Sequence, residues 1–266
     1  MVPRTVSPVL GSLLLLALSA CATAPKPDAG YLSSYERLGG RGDGLRASVR
    51  EWADPEALKG VNTVRIQPTR MLDGADETQA LEAAELRTLL REIDAQLCFE
   101  LSERFAIAGP GGDADAEVRS AVTWFRPTGR TASAVSAAAA FFIPGPLDLR
   151  APGTLGALGV ESEMLVAGRQ VAAVAWARQA NAVGTDAPSL IKSGDAHQFA
   201  EPFADDAARV MTATPAPPKR KFESGQDPCR AYGPRIRAGS FAAKMITNLY
   251  VPQTTAAPAE APPPAD

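Results

Sequence analysis

The chain has 266 residues, 45% of them hydrophobic and 21% charged, an ordinary globular balance that can support a core. Its formal net charge of -3 gives no overall electrostatic case for a nucleic-acid partner. One histidine and three cysteines leave little material for a zinc site or for repeated histidine chemistry.

The first twenty residues have the organisation of a secretory signal. Arg4 supplies a short positive region, residues 9–18 are an apolar run interrupted by Gly11 and Ser12, and Ser19-Ala20 provides the small residues that precede a cleavage site. The run is about half the roughly 20 residues that a membrane-spanning helix needs, which predicts removal rather than insertion. Leu18-Ser19-Ala20-Cys21 resembles the lipobox of bacterial lipoproteins. The resemblance implies that Cys21 becomes residue one and carries the lipid, palmitate being among the acyl groups expected, and several acyl chains anchor far more firmly than one. Ala22 and Thr23 follow, without the aspartate that would resemble an inner-membrane retention signal, so outer-membrane sorting is expected. Residues 21–30, with Pro25 and Pro27, read as a tether.

Residues 31–46 are a polar, glycine-rich lead, and Trp52 and Leu58 are the expected packing groups of the next segment. Residues 61–67 (VNTVRIQ) alternate as a strand closed by Pro68. From 78 to 105, Leu81, Leu86, Leu89, Leu90, Ile93, Leu97, Leu101 and Phe105 recur at steps of three and four, the pattern of a long amphipathic helix. Asp76 with Gln79 is a candidate capping pair, and residues 105–108 can leave the helix as a short strand. Residues 117–126 alternate as a strand with Val118, Val122 and Trp124 inward. Residues 131–143 are alanine-rich and predict a helix on the sheet, or an apolar lip at Phe141 and Phe142. Two alternating runs, 158–166 and 169–179, flank Ala167-Gly168, a hairpin signal. A short helix is expected near 205–211 and a last amphipathic one near 241–249, before a Pro/Ala tail.

These elements predict an α+β fold: a single mixed or mainly antiparallel sheet packed by one long amphipathic helix and shorter helices. The organisation expected is a cleaved signal at 1–20, a tether at 21–30, a domain at 31–250 and a disordered tail at 251–266. The domain carries an alanine-rich insertion at 131–157 and a loop-rich insertion at 184–235. With Cys21 assigned to lipid, Cys98 and Cys229 remain in a compartment that oxidises thiols. They form either one disulfide or two separate buried thiols.

Several segments taken together are similar to the bacterial lipoproteins of domain of unknown function 3313. They are GYLSSYERL at 30–38, Trp52-Ala53-Asp54-Pro55, VRIQPTRML at 64–72, LSERFAI at 101–107 and VESEMLVAGRQVAAV at 160–174, and the likeness covers about residues 30–183. It implies a periplasm-facing lipoprotein with an α/β fold, no established activity and no catalytic set to carry over. After Gly184 the chain departs from that pattern.

The search for chemistry finds no convergent set. His197 lies in a polar stretch without a G-x-S-x-G elbow, and a surface histidine is expected. Ser189-Leu190-Ile191-Lys192 matches S-x-x-K, but the companion motifs of penicillin-recognising enzymes are missing. Arg41-Gly42-Asp43 reads as a turn, and Asp113, Asp115 and Glu117 as a solvated acidic loop rather than a calcium site. Residues 219–244 carry a local basic excess suited to an anionic envelope surface, with a solvated charge run as the simpler reading. The expectation is a non-enzymatic outer-membrane lipoprotein facing the periplasm, a binding or envelope-accessory module. It holds the membrane through its N-terminal lipid, takes an envelope protein or anionic envelope polymer as partner, and has no cofactor or metal. An envelope hydrolase using Ser189 and an apolar ligand carrier are the alternatives.

Overall fold

The computed structural model describes residues 29–43, 47–76, 78–109, 111–129, 148–149, 155–181, 183–184, 186–222, 226–233 and 250. Cys21, the signal, most of the tether, nearly all of the alanine-rich insertion, the helix expected at 241–249 and the tail lie outside these residues.

The strands are β1 (Gly39–Asp43), β2 (Ala47–Ala53), β3 (Thr63–Ile66), β4 (Arg70–Met71), β5 (Ala106–Ile107), β6 (Ala116–Arg126), β7 (Asp148–Leu149), β8 (Ala157–Val166), β9 (Arg169–Gln179) and β10 (Val183–Gly184). The helices are α1 (Pro55–Leu58), α2 (Ala83–Ser102) and α3 (Gly194–Met211). An eight-stranded mixed sheet runs β1-β2-β9-β8-β6-β3-β5, with β4 also on β6, while β7 and β10 form a separate pair. Neighbours from β1 to β6 are antiparallel; β3 lies parallel to both β6 and β5. The fold is α+β, as its order of elements predicts.

The β8-β9 hairpin is the centre of the sheet. Ala167 (φ 48°) and Gly168 (φ 76°) both take the left-handed region, which a two-residue turn of the primed type requires. On one face, Leu158, Val160, Met164, Val174 and Trp176 meet α2 and α3 in the main core. Leu89, Ile93, Leu97 and Leu101 of α2 are fully buried there, each side chain contributing about 1.5–3 kcal/mol of burial. Asp54 caps α1 by accepting from the Ala57 N–H at 3.1 Å. Asp76 instead accepts from Leu81 N–H at 2.9 Å, ahead of α2 rather than at its cap, which is Glu82.

Four further expectations change. The glycine-rich lead contains β1, so Arg41-Gly42-Asp43 is an edge strand paired to β2 and not a turn. Trp52 lies half-buried on the face away from the helices, with the Arg37 guanidinium stacked 3.5 Å over its ring, so it is not a core group. Between Val122 and Trp124 the register with β8 shifts, and the extra residue reverses the alternation. Phe125 therefore enters the main core, while Trp124 turns to the other face beside Ala157 and Ala177. Finally, the helix expected near 205–211 begins at Gly194. The segment expected to be loop-rich thus supplies α3, whose Phe199 and Phe203 pack against Trp176 at 6.5 and 5.9 Å between ring centroids.

The Cys98 and Cys229 sulfurs are bonded, with Cα atoms 5.8 Å apart and a sequence separation of 131. A link closing so long a loop restricts the unfolded chain by as much as about 5 kcal/mol. Cys98→Ala/Cys229→Ala is expected to lose about 3–5 kcal/mol in denaturant unfolding, and reductant is expected to lower the wild-type transition while leaving the variant unchanged.

Candidate functional site

The face of the sheet opposite the helices carries small residues: Ala121 on β6 and Ala173, Ala175 and Ala177 on β9. Between them β8 places Glu161 and Glu163, both on this face because they are two residues apart in a strand, and exposed to only 2% and 0%. A buried carboxylate needs partners for its oxygens. Residues 29–38 lie across the face as a strap and supply most of them.

Glu163 is saturated. Its Oε1 accepts from Ser33 Oγ at 2.9 Å and Arg119 Nε at 2.6 Å, and its Oε2 from Ser33 N–H at 2.9 Å and Gln170 Nε2 at 2.7 Å. Gln170 also donates to the Ser34 carbonyl, and Arg119 donates to Ser33 Oγ. Glu161 accepts from Ala29 N–H at 3.3 Å and from the Tyr35 hydroxyl at 2.6 Å. The same hydroxyl accepts from the N–H groups of Gly30, Tyr31 and Leu32 at 2.9, 2.9 and 3.1 Å, closing the strap on itself. Tyr31 and Leu32 are buried against Ala121 and Ala173, with Tyr35, Leu38 and Leu72 around them. Arg70 and Arg119 sit 5.0 and 5.2 Å from the Tyr31 ring centre.

The electrostatics follow from burial. Desolvation raises the Glu161 pKa above its usual carboxylate value, against the opposing bonds from Tyr35 and Ala29. Burial, helped by the bond to Glu161, pushes the Tyr35 hydroxyl up to about 12, so it stays a donor throughout the ordinary pH range. With these donors and acceptors paired to one another, the arrangement is suited to holding a segment of chain.

The residues singled out by sequence are dispersed. Ser189 is fully buried: a Cβ on Gly194 would come within 2.2 Å of its side chain, and its Oγ donates to the Tyr250 carbonyl at 3.4 Å. Lys192 Nζ donates to the Ala80 carbonyl at 2.8 Å, and no Ser189–Lys192 bond occurs among the described residues. His197 is not on the surface. It is 2% exposed, its Nδ1 lies 2.8 Å from the Ser193 carbonyl, and burial depresses its pKa although Ser193, Glu92 and Glu85 oppose that shift. Asp115 accepts from the N–H groups of Asn62 and Thr63 at 2.9 Å, and Glu117 pairs with Arg65, so these oxygens fasten β3 to β6. Among the described residues no group of three or more His, Cys, Asp or Glu side chains is placed to hold a metal ion, and no helix is long and apolar enough to cross a membrane. A groove of about 300 Å³ lies between β2, α1 and the end of α3, lined by Trp52, Pro55, Leu58 and Val210, with Glu51 and Arg209 at its rim.

Sequence reasoning missed the clasp formed by Tyr35, Ser33, Glu161, Glu163, Arg119 and Gln170. Its signal was two glutamates at strand spacing inside an otherwise apolar run, a placement that demands partners from elsewhere.

Glu163→Ala leaves Arg119, itself one-third exposed, without its buried partner and is expected to cost about 2–4 kcal/mol. Tyr35→Phe should cost about 1–3 kcal/mol. Hydrogen exchange should then show faster exchange of the amides of residues 30–32, while α2 keeps its protection. His197 yields a pH test. Its folded-state pKa lies below the unfolded value near 6.5, so the unfolded chain binds more protons and stability falls as pH drops below that value. The Glu161 shift has the opposite sign: its stability contribution is lost as pH rises above the ordinary carboxylate value of 4.5. The stability difference between wild type and His197→Asn, from denaturant titrations at pH 7.5 and 5.5, should therefore shift toward the variant at the lower pH.

None of the curated proteins matches the chain. Among solved structures, the PelC dodecamer from Paraburkholderia phytofirmans in space group P6 is 11% identical, covering 63% of this chain and 98% of that one, with a TM-score of 0.37. A point variant of it in space group C2 is 12% identical, with the same coverages and TM-score. At that score the likeness carries no functional argument. The model of a family described as a protein of unknown function, DUF3313, matches residues 27–207, from the strap through the sheet and most of α3, and the chain belongs to that family.

Proposed function

We propose that this chain is an acylated lipoprotein of the outer membrane, facing the periplasm, whose sheet-and-helix domain is a non-catalytic binding or envelope-accessory module. The observation that carries the reading is the sequence Leu18-Ser19-Ala20-Cys21 at the end of the apolar run. The clasp is consistent with it, since it fixes residue 29 to the sheet only a short distance after Cys21 and so makes a firm junction between lipid and domain. The non-catalytic part is supported by Ser189, enclosed by Gly194, and by His197, enclosed between helices and bonded to the Ser193 carbonyl. The partner suited to the reading is an envelope protein or an anionic envelope polymer held close to the bilayer.

Metabolic labelling with an alkyne-bearing palmitate, followed by mass spectrometry of the N-terminal peptide, tests the anchor. Label on wild-type protein, with Cys21 as the first residue, is expected. Cys21→Ser should lose the label and move from the membrane to the soluble periplasmic fraction. An unlabelled wild type with an intact or conventionally cut N-terminus would reject the proposal. Crosslinking of the labelled protein in whole cells should then recover one reproducible envelope partner.

A further inference from the structure

The place where the strap begins determines which side of the domain an anchor can pull toward. Ala29 sits over the middle of β8, its N–H directed to Glu161. Glu161 is opposite Ala121 on β6 and Ala175 on β9, and in that row β6 and β4 lie on one side of β8 while β9, β2 and β1 lie on the other. Ala29, the first described residue, therefore lies over the centre of the strap-covered face and not at a rim.

Between Cys21 and Ala29 there are eight peptide units, whose contour cannot exceed about 29 Å whatever their conformation. To reach the outer surface of the helix layer, that segment must first pass at least two strand spacings, about 10 Å, on the β4 side or three, about 14 Å, on the β1 side. It must then pass the thickness of the sheet and of helices about 10–12 Å in diameter. That route takes up nearly the whole length of a fully stretched chain. On the strap side the same segment meets the bilayer directly.

We infer that the strap-covered face of the sheet lies against the phospholipid bilayer that holds Cys21, and that α2 and α3 form the opposite surface, presented to the aqueous compartment. The inference rests on the acylation of Cys21 proposed above. Charge hardly selects the orientation, because on this face exposed Arg37, Arg70 and Arg126 stand against exposed Glu36 and Asp73, an excess of one. The short tether and the central place of Ala29 do. The soluble partner then meets the helix side or the edges of the sheet, and the strap face is unavailable to it while the lipid is inserted.

The test uses the full acylated protein in phosphatidylethanolamine/phosphatidylglycerol vesicles containing brominated lipid. Arg70 lies on the strap face over Tyr31, and Arg87 is exposed on α2. Arg70→Cys and Arg87→Cys are labelled separately with bimane on the folded protein, whose Cys98 and Cys229 are already bonded to each other. Quenching at position 70 is expected to be at least about twofold that at position 87. A ten-residue Gly/Ser insertion after Thr23 is expected to bring the two values together, since it releases the length limit. Equal quenching at both positions with the natural tether, or stronger quenching at 87, overturns the orientation if mass spectrometry of the same sample shows the acylated Cys21. A sample without acyl mass overturns the anchor and the orientation together.

Discussion

Glu161 and Glu163 place two carboxylates on the central strand of a sheet, where a charge without partners costs several kcal/mol. Each neighbouring element answers that demand: Arg119 from β6, Gln170 from β9, and from the strap two N–H groups, a serine hydroxyl and a tyrosine hydroxyl. A purely apolar face could be covered by many segments in many registers. A face with two carboxylates at fixed spacing accepts only a segment whose donors match, so the clasp specifies where the N-terminal region lies as well as holding it there. The opposite face uses the complementary strategy, with α2 and α3 covering Leu158, Val160 and Met164 by apolar packing, and Trp176 by packing with one polar tie at its indole nitrogen.

The two faces also explain which parts of the molecule can be read from sequence. Periodicity located α2 and the β8-β9 hairpin, because Leu89, Ile93, Leu97 and Leu101 repeat at helical spacing and Ala167-Gly168 separates two alternating runs. It failed at Trp124, where one extra residue in β6 exchanged the faces of Trp124 and Phe125, a change that leaves no mark on local composition. It failed for the first half of α3, where Asp195, His197 and Gln198 give a polar appearance. Most of their polar atoms are paired internally: Asp195 with Gly156 N–H and Thr128 Oγ1, His197 through Nδ1 with the Ser193 carbonyl, and Gln198 with Ala187 on both its oxygen and its nitrogen. The clasp was the least legible part, since its partners are as far as 132 residues apart and nothing local pairs them. The segments GYLSSYERL and VESEMLVAGRQVAAV, which carried the family resemblance, are nonetheless the ones that meet there, through Tyr35, Ser33, Glu161, Glu163 and Gln170.

Charge also ties the ends of the fold together. Asp206 on α3 accepts from the Trp176 indole at 3.0 Å and pairs with Arg41 on β1, while Arg209 spans to Glu51 on β2. The edge hairpin is thereby joined to the helix layer as well as to β9. These partly exposed pairs individually add little stability, but together they define how the hairpin and α3 are set against one another.

The disulfide has a consequence for how the molecule responds to damage. Cys229 lies beyond the family-matched region, and its bond to Cys98 makes residues 98–229 a covalent ring that includes β6, β8, β9 and α3. A protease that cuts once anywhere inside that ring yields two polypeptides that still migrate as one species until a reductant is added. Release of β6, β8, β9 or α3 without reductant therefore needs two cuts within the ring, whereas β1 to β4, which precede Cys98, can be separated by one.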